Sequence, residues 1–365
     1  MIRFLDLAAQ YENLKSEIDA ALSATITGSA FIGGAGVARF ESEFAAYQNA
    51  ECCVGVGNGT DALEISIEAL DLPPRSDIIV PANSFIASSE AVTRAGHNVV
   101  FADVDADTFL LDPHDVEKRL TENTAAIMAV HLYGQPCDLE PLLKMSETHD
   151  LRIIEDSAQA HGAETAGRRV GAIGDVGTFS FYPGKNLGAY GDAGAIVTND
   201  PKLAKKCRMI ANHGRLDKYD HAFEGRNSRL DGIQAAILSV KLRHLDEWIE
   251  HRNRVAAAYS VGLDGIDGLK IPRLRIDVRH SFHLYVVRTD RRDELASYLA
   301  EREIQTGIHY PVSLPRLRAY RHLGQADDAM VANRQDATLL SLPIGEHLNE
   351  GDVAHVIDSI KDFYS

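Results

Sequence analysis

One lysine of this chain sits in a setting unlike that of a solvated surface charge. The run Phe179-Ser180-Phe181-Tyr182-Pro183-Gly184-Lys185-Asn186-Leu187-Gly188 places Lys185 between aromatic residues and a glycine-bounded turn. Most lysines keep their ammonium in water. One held among aromatics and tight turns loses hydration, its pKa falls, and a neutral amine becomes available to attack a carbonyl.

Such an amine serves pyridoxal phosphate chemistry if the chain also supplies a phosphate cradle and a carboxylate for the pyridine nitrogen. Gly55-Val56-Gly57-Asn58-Gly59-Thr60-Asp61 joins an apolar run to a helical one. Glycines there let the backbone approach a ligand, and the first amides of a helix attract phosphate. A plain helix cap after a glycine turn would use the same residues. The Gly-x-Gly-x-x-Gly spacing of dinucleotide sites fails, because Thr60 holds the third position. Leu151-Arg152-Ile153-Ile154-Glu155-Asp156-Ser157-Ala158-Gln159 puts Asp156 at the end of an apolar strand, where open α/β sheets bind ligands. There it can pair with a protonated pyridine nitrogen, and Gln159 can reach the ring hydroxyl. A turn or a cap is the ordinary use of a lone strand-end aspartate. Glu155 points to the opposite face and reads as structural.

These groups need a scaffold of alternating strands and helices. Strands are expected at 53–56, 77–81, 98–104, 125–132, 151–156, 176–182 and 194–198, with helices at 61–70, 84–95, 113–120 and 139–149 between the first five. The pattern implies an α/β domain with a largely parallel sheet. The last two strands are too close for a helical crossover, so one runs antiparallel in a mixed sheet. Residues 231–258 read as one long helix. A strand at 281–288, a helix at 292–302 and a strand near 306–310 follow. The expected division is a large α/β domain over 1–245 and a smaller α+β domain over 246–365.

Composition narrows the partners. A net charge of −16 over 365 residues, with no basic run, argues against nucleic acid and anionic membranes. An anionic substrate must therefore meet locally clustered cations or amides. The four cysteines show neither metal-ligand spacing nor a disulfide framework, and no metal site is expected. No signal-peptide core or membrane-length apolar run is present, so the expected location is cytoplasmic.

Phosphate loop, strand-end aspartate and lysine turn follow one another in an order that resembles the DegT/DnrJ/StrS family of nucleotide-sugar aminotransferases. The likeness extends to Phe31-Ile32-Gly33-Gly34, Pro81-Ala82-Asn83-Ser84-Phe85, Ala160-His161-Gly162 and Arg226-Asn227-Ser228-Arg229-Leu230-Asp231. It implies an aspartate-aminotransferase-like fold, fold type I, with a mixed mostly parallel sheet flanked by helices. It further implies that Lys185 carries pyridoxal 5'-phosphate as a Schiff base and moves the proton once the amino donor has displaced it. Asp156 would pair with the ring nitrogen, Gln159 would lie near the ring oxygen, and Phe85 would stack on the ring. Gly59, Thr60 and Ser180 would hold the phosphate. Asn227 matches a residue that reaches a phosphate across a homodimer interface, so each active site would be shared.

Within the family, Gly191-Asp192-Ala193-Gly194 after the lysine resembles members that aminate 3-keto-6-deoxyhexoses linked to dTDP. Members acting on 4-keto sugars place Gly-Glu-Gly-Gly there. A 4-keto or a UDP-3-keto uronic acid substrate is the alternative within the family. A sugar-nucleotide oxidoreductase, a dehydratase relative with His in place of Lys185, and a non-catalytic regulatory paralogue are the alternatives outside it. Tyr182, Arg229, His309 and Tyr310 fall where the sugar nucleotide is expected, with Arg215 and Lys218 as further cations. L-glutamate is the expected donor, with pyridoxamine phosphate between the two half-reactions. Two departures, Gly34-Ala35-Gly36 and Ala211-Asn212-His213-Gly214, bear on the substrate pocket.

Overall fold

The computed structural model describes all 365 residues. Strands β1 (Cys52–Val56), β2 (Asp77–Pro81), β3 (Asn98–Ala102), β4 (Thr124–Val130), β5 (Arg152–Asp156), β6 (Val176–Ser180) and β7 (Gly194–Thr198) form one sheet in the order β1-β7-β6-β5-β4-β2-β3. The five strands from β3 to β6 run parallel, and β7 is antiparallel to both its neighbours. This is the expected mixed sheet, with β7 as the reversed strand. Ile78, Ile79 and Val80 are consecutive and all fully buried, so helices cover both faces.

The helices in order are α1 (Leu7–Thr27), α2 (Gly34–Gln48), α3 (Gly59–Ala69), α4 (Ala87–Arg94), α5 (Pro113–Arg119), α6 (Leu139–His149) and α7 (Pro201–Ala211). After them come α8 (Gly232–Leu242), α9 (Leu245–Leu263), α10 (Arg292–Glu301), a short α11 (Val331–Gln335) and α12 (Glu350–Tyr364). Local chemistry sets several starts. Asp112 and Asp200 cap α5 and α7, and each is followed by a proline whose missing N–H costs nothing at a first helical position. The Asn58 side chain caps α3 by accepting from the Asp61 N–H.

A second core gathers Tyr259, Tyr285, Leu295, Leu299, Leu340, Leu342, Val356 and Ile360. Its two strands, β8 (Tyr285–Arg288) and β9 (Leu339–Leu342), pair antiparallel. Ile2 also belongs to this core, and the N-terminal segment is tied down by Ile2 N–H to the Glu303 carbonyl at 2.7 Å. Helix α9 packs Leu245 and Ile249 with the aromatic core under β6, and Val255, Tyr259 and Leu263 with the second core.

Three expectations are corrected. The helix over 231–258 is two helices: the N–H groups of Arg243 and His244 bond three residues back, and both side chains reach Glu17 on α1. The strand over 281–288 starts only at Tyr285, because Ser281 and Leu284 spend their N–H groups on the carbonyls of Gly134 and Tyr133. Residues 306–310 make one bridge, Gly307 to Ser341, before the chain turns towards Tyr133. In addition, Gly34-Ala35-Gly36 opens α2, with positive φ at Gly33 and Gly34 only.

Glu155 organises the loop behind the sheet. It is fully buried and accepts from the N–H groups of Gly171, Ile173 and Gly174, each at 2.7 Å. The His131 ring lies 3.0 Å away through Nε2, which donates to Glu155, and its Nδ1 faces the Cys137 N–H. Burial opposes the carboxylate charge, but His131 and the loop amides outweigh it and hold the carboxyl below its ordinary range. Its stabilisation is therefore present above the unfolded value near 4.5 and is lost as pH falls through the lower folded value. Glu155→Gln should cost about 3 kcal/mol in urea unfolding at neutral pH, and the variant should lose less stability than wild type on acidification.

Candidate active site

The carboxyl ends of β1 and β6 meet the start of α3. Asn58 uses its side chain on the Asp61 N–H and its carbonyl on the Ala62 N–H. The N–H groups of Gly59 and Thr60, in the first turn, have no intrahelical partner. A Cβ on Gly59 would lie 2.6 Å from the Ser180 Cβ, so only glycine lets this turn close against Ser180. Two backbone amides at a helix N-terminus and a serine hydroxyl are thereby gathered into an anion cradle. Ser228 braces it, accepting from the Gly57 N–H at 3.0 Å and donating to Asp61 at 2.6 Å.

Lys185 follows on the same segment as Ser180. Its loop is tied by Lys185 N–H to the Tyr182 carbonyl at 2.8 Å and by Asn186 to the Ser281 carbonyl at 2.8 Å. Beneath it, the buried Lys241 donates to the Gly188 carbonyl at 2.7 Å and lies 4.3 Å from the Tyr190 ring centroid. Burial pushes the Lys185 amine down to about 8, against the pull of the Asp156 carboxylate. Three histidines feel the lysine charge. Burial and then that charge take His161 down to about 3 and His309 to about 4, and hold His283 well below its ordinary value. All three are neutral at physiological pH, so the only charge that can face Asp156 from this side is the amine itself.

Asp156 ends β5 and is 5% exposed. It accepts from the Ser88 hydroxyl at 2.7 Å and the Ala158 N–H at 3.1 Å. Gln159 accepts from the Tyr133 N–H at 2.7 Å and donates to the Tyr310 hydroxyl at 3.0 Å. Tyr133 donates to the His309 carbonyl, and the Tyr310 ring lies 5.7 Å from that of Phe85. Phe85 itself is exposed. His309 is stacked on Phe4 and bonded through Nδ1 to Ser341.

Lys185, Asp156, Gln159, Ser180, Gly59, Thr60, Phe85, His309 and Tyr310 thus lie around one end of the sheet. Tyr182 and Asn227 are exposed, and the Asn227 side chain makes no hydrogen bond within the chain. Arg229 is half-buried and donates to the Asn212 side chain at 3.2 Å, beside the loop that carries Arg215 and Lys218. Sequence reasoning did not find Tyr133, Ser228 or Phe4, whose roles arise from contacts across the fold. Ser88 was missed as well, since nothing in the sequence places it opposite Asp156.

The residues fit pyridoxal phosphate on chemical grounds. They offer an amine depressed towards neutrality, a buried carboxylate without a cationic side chain at ion-pair distance, and an amide cradle at the end of a helix. No cluster of metal-ligating side chains competes with that assignment.

Comparison with known proteins agrees with the geometry. The model of the DegT/DnrJ/EryC1/StrS aminotransferase family matches residues 12–361. A dTDP-3-amino-3,4,6-trideoxy-alpha-D-glucose transaminase of Streptomyces venezuelae is 44% identical over 99% of this chain and 96% of its own. A Geobacillus stearothermophilus chain described as a pleiotropic regulatory protein is 43% identical over 100% of this chain and 98% of its own. A dTDP-3-amino-3,6-dideoxy-alpha-D-galactopyranose transaminase of Aneurinibacillus thermoaerophilus is 41% identical over 100% and 99%. Among solved structures, DesV of S. venezuelae in complex with a ketimine intermediate superposes with a TM-score of 0.98 at 44% identity, covering 100% of this chain and 98% of that one.

The Lys185 environment has a direct readout in the cofactor-free protein. Acylation of Lys185 by an amine-reactive reagent, followed by peptide mass spectrometry, should rise with a midpoint near pH 8 instead of the ordinary 10.5. Asp156→Asn should move that midpoint lower, since the carboxylate favours the ammonium form.

Proposed function

The chain belongs to the DegT/DnrJ/EryC1/StrS aminotransferase family, and on that premise we propose that it transfers the amino group of L-glutamate to the C3 ketone of a dTDP-linked 3-keto-6-deoxyhexose. It is a pyridoxal-phosphate-dependent aminotransferase. The observation that carries the reading is a buried Lys185 amine lowered by burial and coupled to the Asp156 charge, on the segment whose Ser180 closes against the start of α3. The substrate class is supported by Gly191-Asp192-Ala193-Gly194 after the lysine and by the dTDP-3-amino-sugar products of two relatives. The product would feed an O-antigen, S-layer or antibiotic glycan.

When bound, pyridoxal phosphate supplies an electron sink and a carrier for the amino group. The Gly59 and Thr60 amides and the Ser180 hydroxyl would hold its phosphate, Asp156 its ring nitrogen, Gln159 its ring oxygen and Phe85 one ring face. Lys185 Nζ would hold its carbonyl carbon, and as a buried amine beside that carbon it would serve as the group that accepts and returns a proton there. An amine that titrates near 8 is partly neutral at physiological pH, which lets it act as base and then as acid. The neutral His161, His283 and His309 add no charge that would hold the lysine deprotonated once its proton is needed. A sugar nucleotide carries a diphosphate into a protein of net −16, and Arg229, Arg215 and Lys218 supply local cations against that field. His309, Tyr310 and Tyr182 line the approach to the sugar.

The reading includes a homodimer with shared sites, the division into 1–245 and 246–365, and a cytoplasmic location. In support of the dimer, Tyr182, Leu216, Tyr219 and Phe223 leave large apolar surfaces exposed around the site. No helix is long and apolar enough to cross a membrane.

An absorption spectrum of the protein with added pyridoxal phosphate should show a yellow band that L-glutamate bleaches, with release of 2-oxoglutarate. The band should be absent in Lys185→Ala. A colourless wild-type protein, or a coloured one that leaves a dTDP-3-keto-6-deoxyhexose unchanged after bleaching, would count against the reading; the second result would favour a regulatory role. Mixing Lys185→Ala with Asn227→Ala chains, under conditions of subunit exchange, should restore activity that neither variant has alone.

A further inference from the structure

The support beneath Asp156 extends further than its two direct donors. Ser88 in the first turn of α4 is 1% exposed, and Ser84, just before that helix, is 4% exposed. The two hydroxyl oxygens lie 2.7 Å apart, and Ser88 Oγ lies 2.7 Å from Asp156 Oδ2. Donor and acceptor logic sets the direction. An ionised carboxylate only accepts, so Ser88 spends its single hydrogen on Asp156. Ser88 can then only accept from Ser84, whose hydrogen points along the same line. The result is an oriented chain, Ser84 to Ser88 to Asp156, each hydroxyl polarising the next.

This chain matters because of what Asp156 lacks. Other buried carboxylates here have cationic or histidine partners: Glu64 has Arg226, Glu41 has Arg208 and Glu155 has His131. Asp156 has no cationic side chain within 4 Å among the ion pairs of the chain, and a buried charge without a partner is expensive. Two donors bear it, the Ala158 N–H on Oδ1 and Ser88 on Oδ2. The amide is fixed by the turn after β5. The hydroxyl is the adjustable donor, and it fixes the plane of the carboxylate as well as its charge.

We propose that Ser88, backed by Ser84, is a positioning residue that holds the Asp156 carboxylate aimed at the ring nitrogen of the cofactor. The proposal rests on the pyridoxal phosphate reading given above. Its action is through Asp156 and not on the substrate, so it is read first in cofactor binding.

The test is the dissociation constant of pyridoxal phosphate, from absorbance titration of wild type, Ser88→Ala, Ser88→Thr, Ser84→Ala and the Ser84→Ala/Ser88→Ala double variant. Melting of each cofactor-free chain confirms that it is folded. Ser88→Ala should weaken binding about tenfold, the size expected for loss of one hydrogen bond to a charged group. Ser88→Thr keeps the hydroxyl and should bind as wild type does. Ser84→Ala should weaken binding about threefold, and the double variant should match Ser88→Ala alone, because Ser84 acts only through Ser88. If Ser88→Ala does not fold, Ser84→Ala alone carries the test. Effects of the two alanines that add, a Ser88→Thr variant as weak as Ser88→Ala, or an unchanged Ser88→Ala would each overturn the relay. In those outcomes wild type still binds the cofactor; a wild type that binds none would overturn the cofactor reading itself.

Discussion

Two carboxylates that are neighbours in sequence leave strand β5 on opposite sides, and each must find donors inside the protein. Burial keeps most water from both, so the surrounding chain has to be built around their charge. Glu155 gathers His131 and the amides of the 171–174 loop, which fixes the back of the sheet. Asp156 gathers Ser88 and Ala158, which fixes the start of α4 and the turn that carries Gln159. The difference between them is partnership. Glu155 is surrounded by donors from His131 and three amides, whereas Asp156 has only two.

The second constraint is distance. The cradle amides at Gly59 and Thr60 and the lysine come from segments separated by more than a hundred residues in sequence, and they meet only because glycines remove side chains at the crossing points. Gly59 lets α3 close on Ser180, and a Cβ on Gly188 would lie 2.2 Å from the Pro183 carbonyl oxygen, so the lysine loop can fold back on itself only there. Lys241 then secures that fold from below with one hydrogen bond, at the cost of a buried amine pushed down to about 8.

Much of this was legible in the sequence. The seven strands of the sheet are short apolar runs with turn residues at each end, and covered strands read clearly in that form. Lys185, Asp156 and the Gly57–Asp61 loop were visible as residue types in tell-tale neighbourhoods, and their order along the chain carried the family. Helix α1 was not visible because it buries only Gln10, Leu14 and Ile18, too thin a stripe for a helical period. Helix α2 was hidden by its opening Gly34-Ala35-Gly36, whose two glycines are poor helix residues and look like a turn. The break at Arg243 and the irregular run at 306–310 depend on Glu17, Ser341 and Tyr133, partners far away in sequence. The same holds for the hydroxyl chain behind Asp156, since two serines four apart say nothing about what lies opposite them.

The second core has a consequence for the order in which the polypeptide can acquire its structure. Ile2 is packed against residues from α9, α10 and α12, and its backbone is bonded to Glu303 and Gln305. Ile2 therefore waits for partners made much later in synthesis, helix α12 being complete only at Tyr364. Contacts of such long sequence separation form late and slowly. During synthesis the sheet can assemble while the amino-terminal segment stays unsatisfied, with Ile2 and Phe4 open to solvent or to a chaperone. Because Phe4 stacks on His309, the mouth of the active site is among the last parts of the molecule to be finished, after the sheet that carries its chemistry.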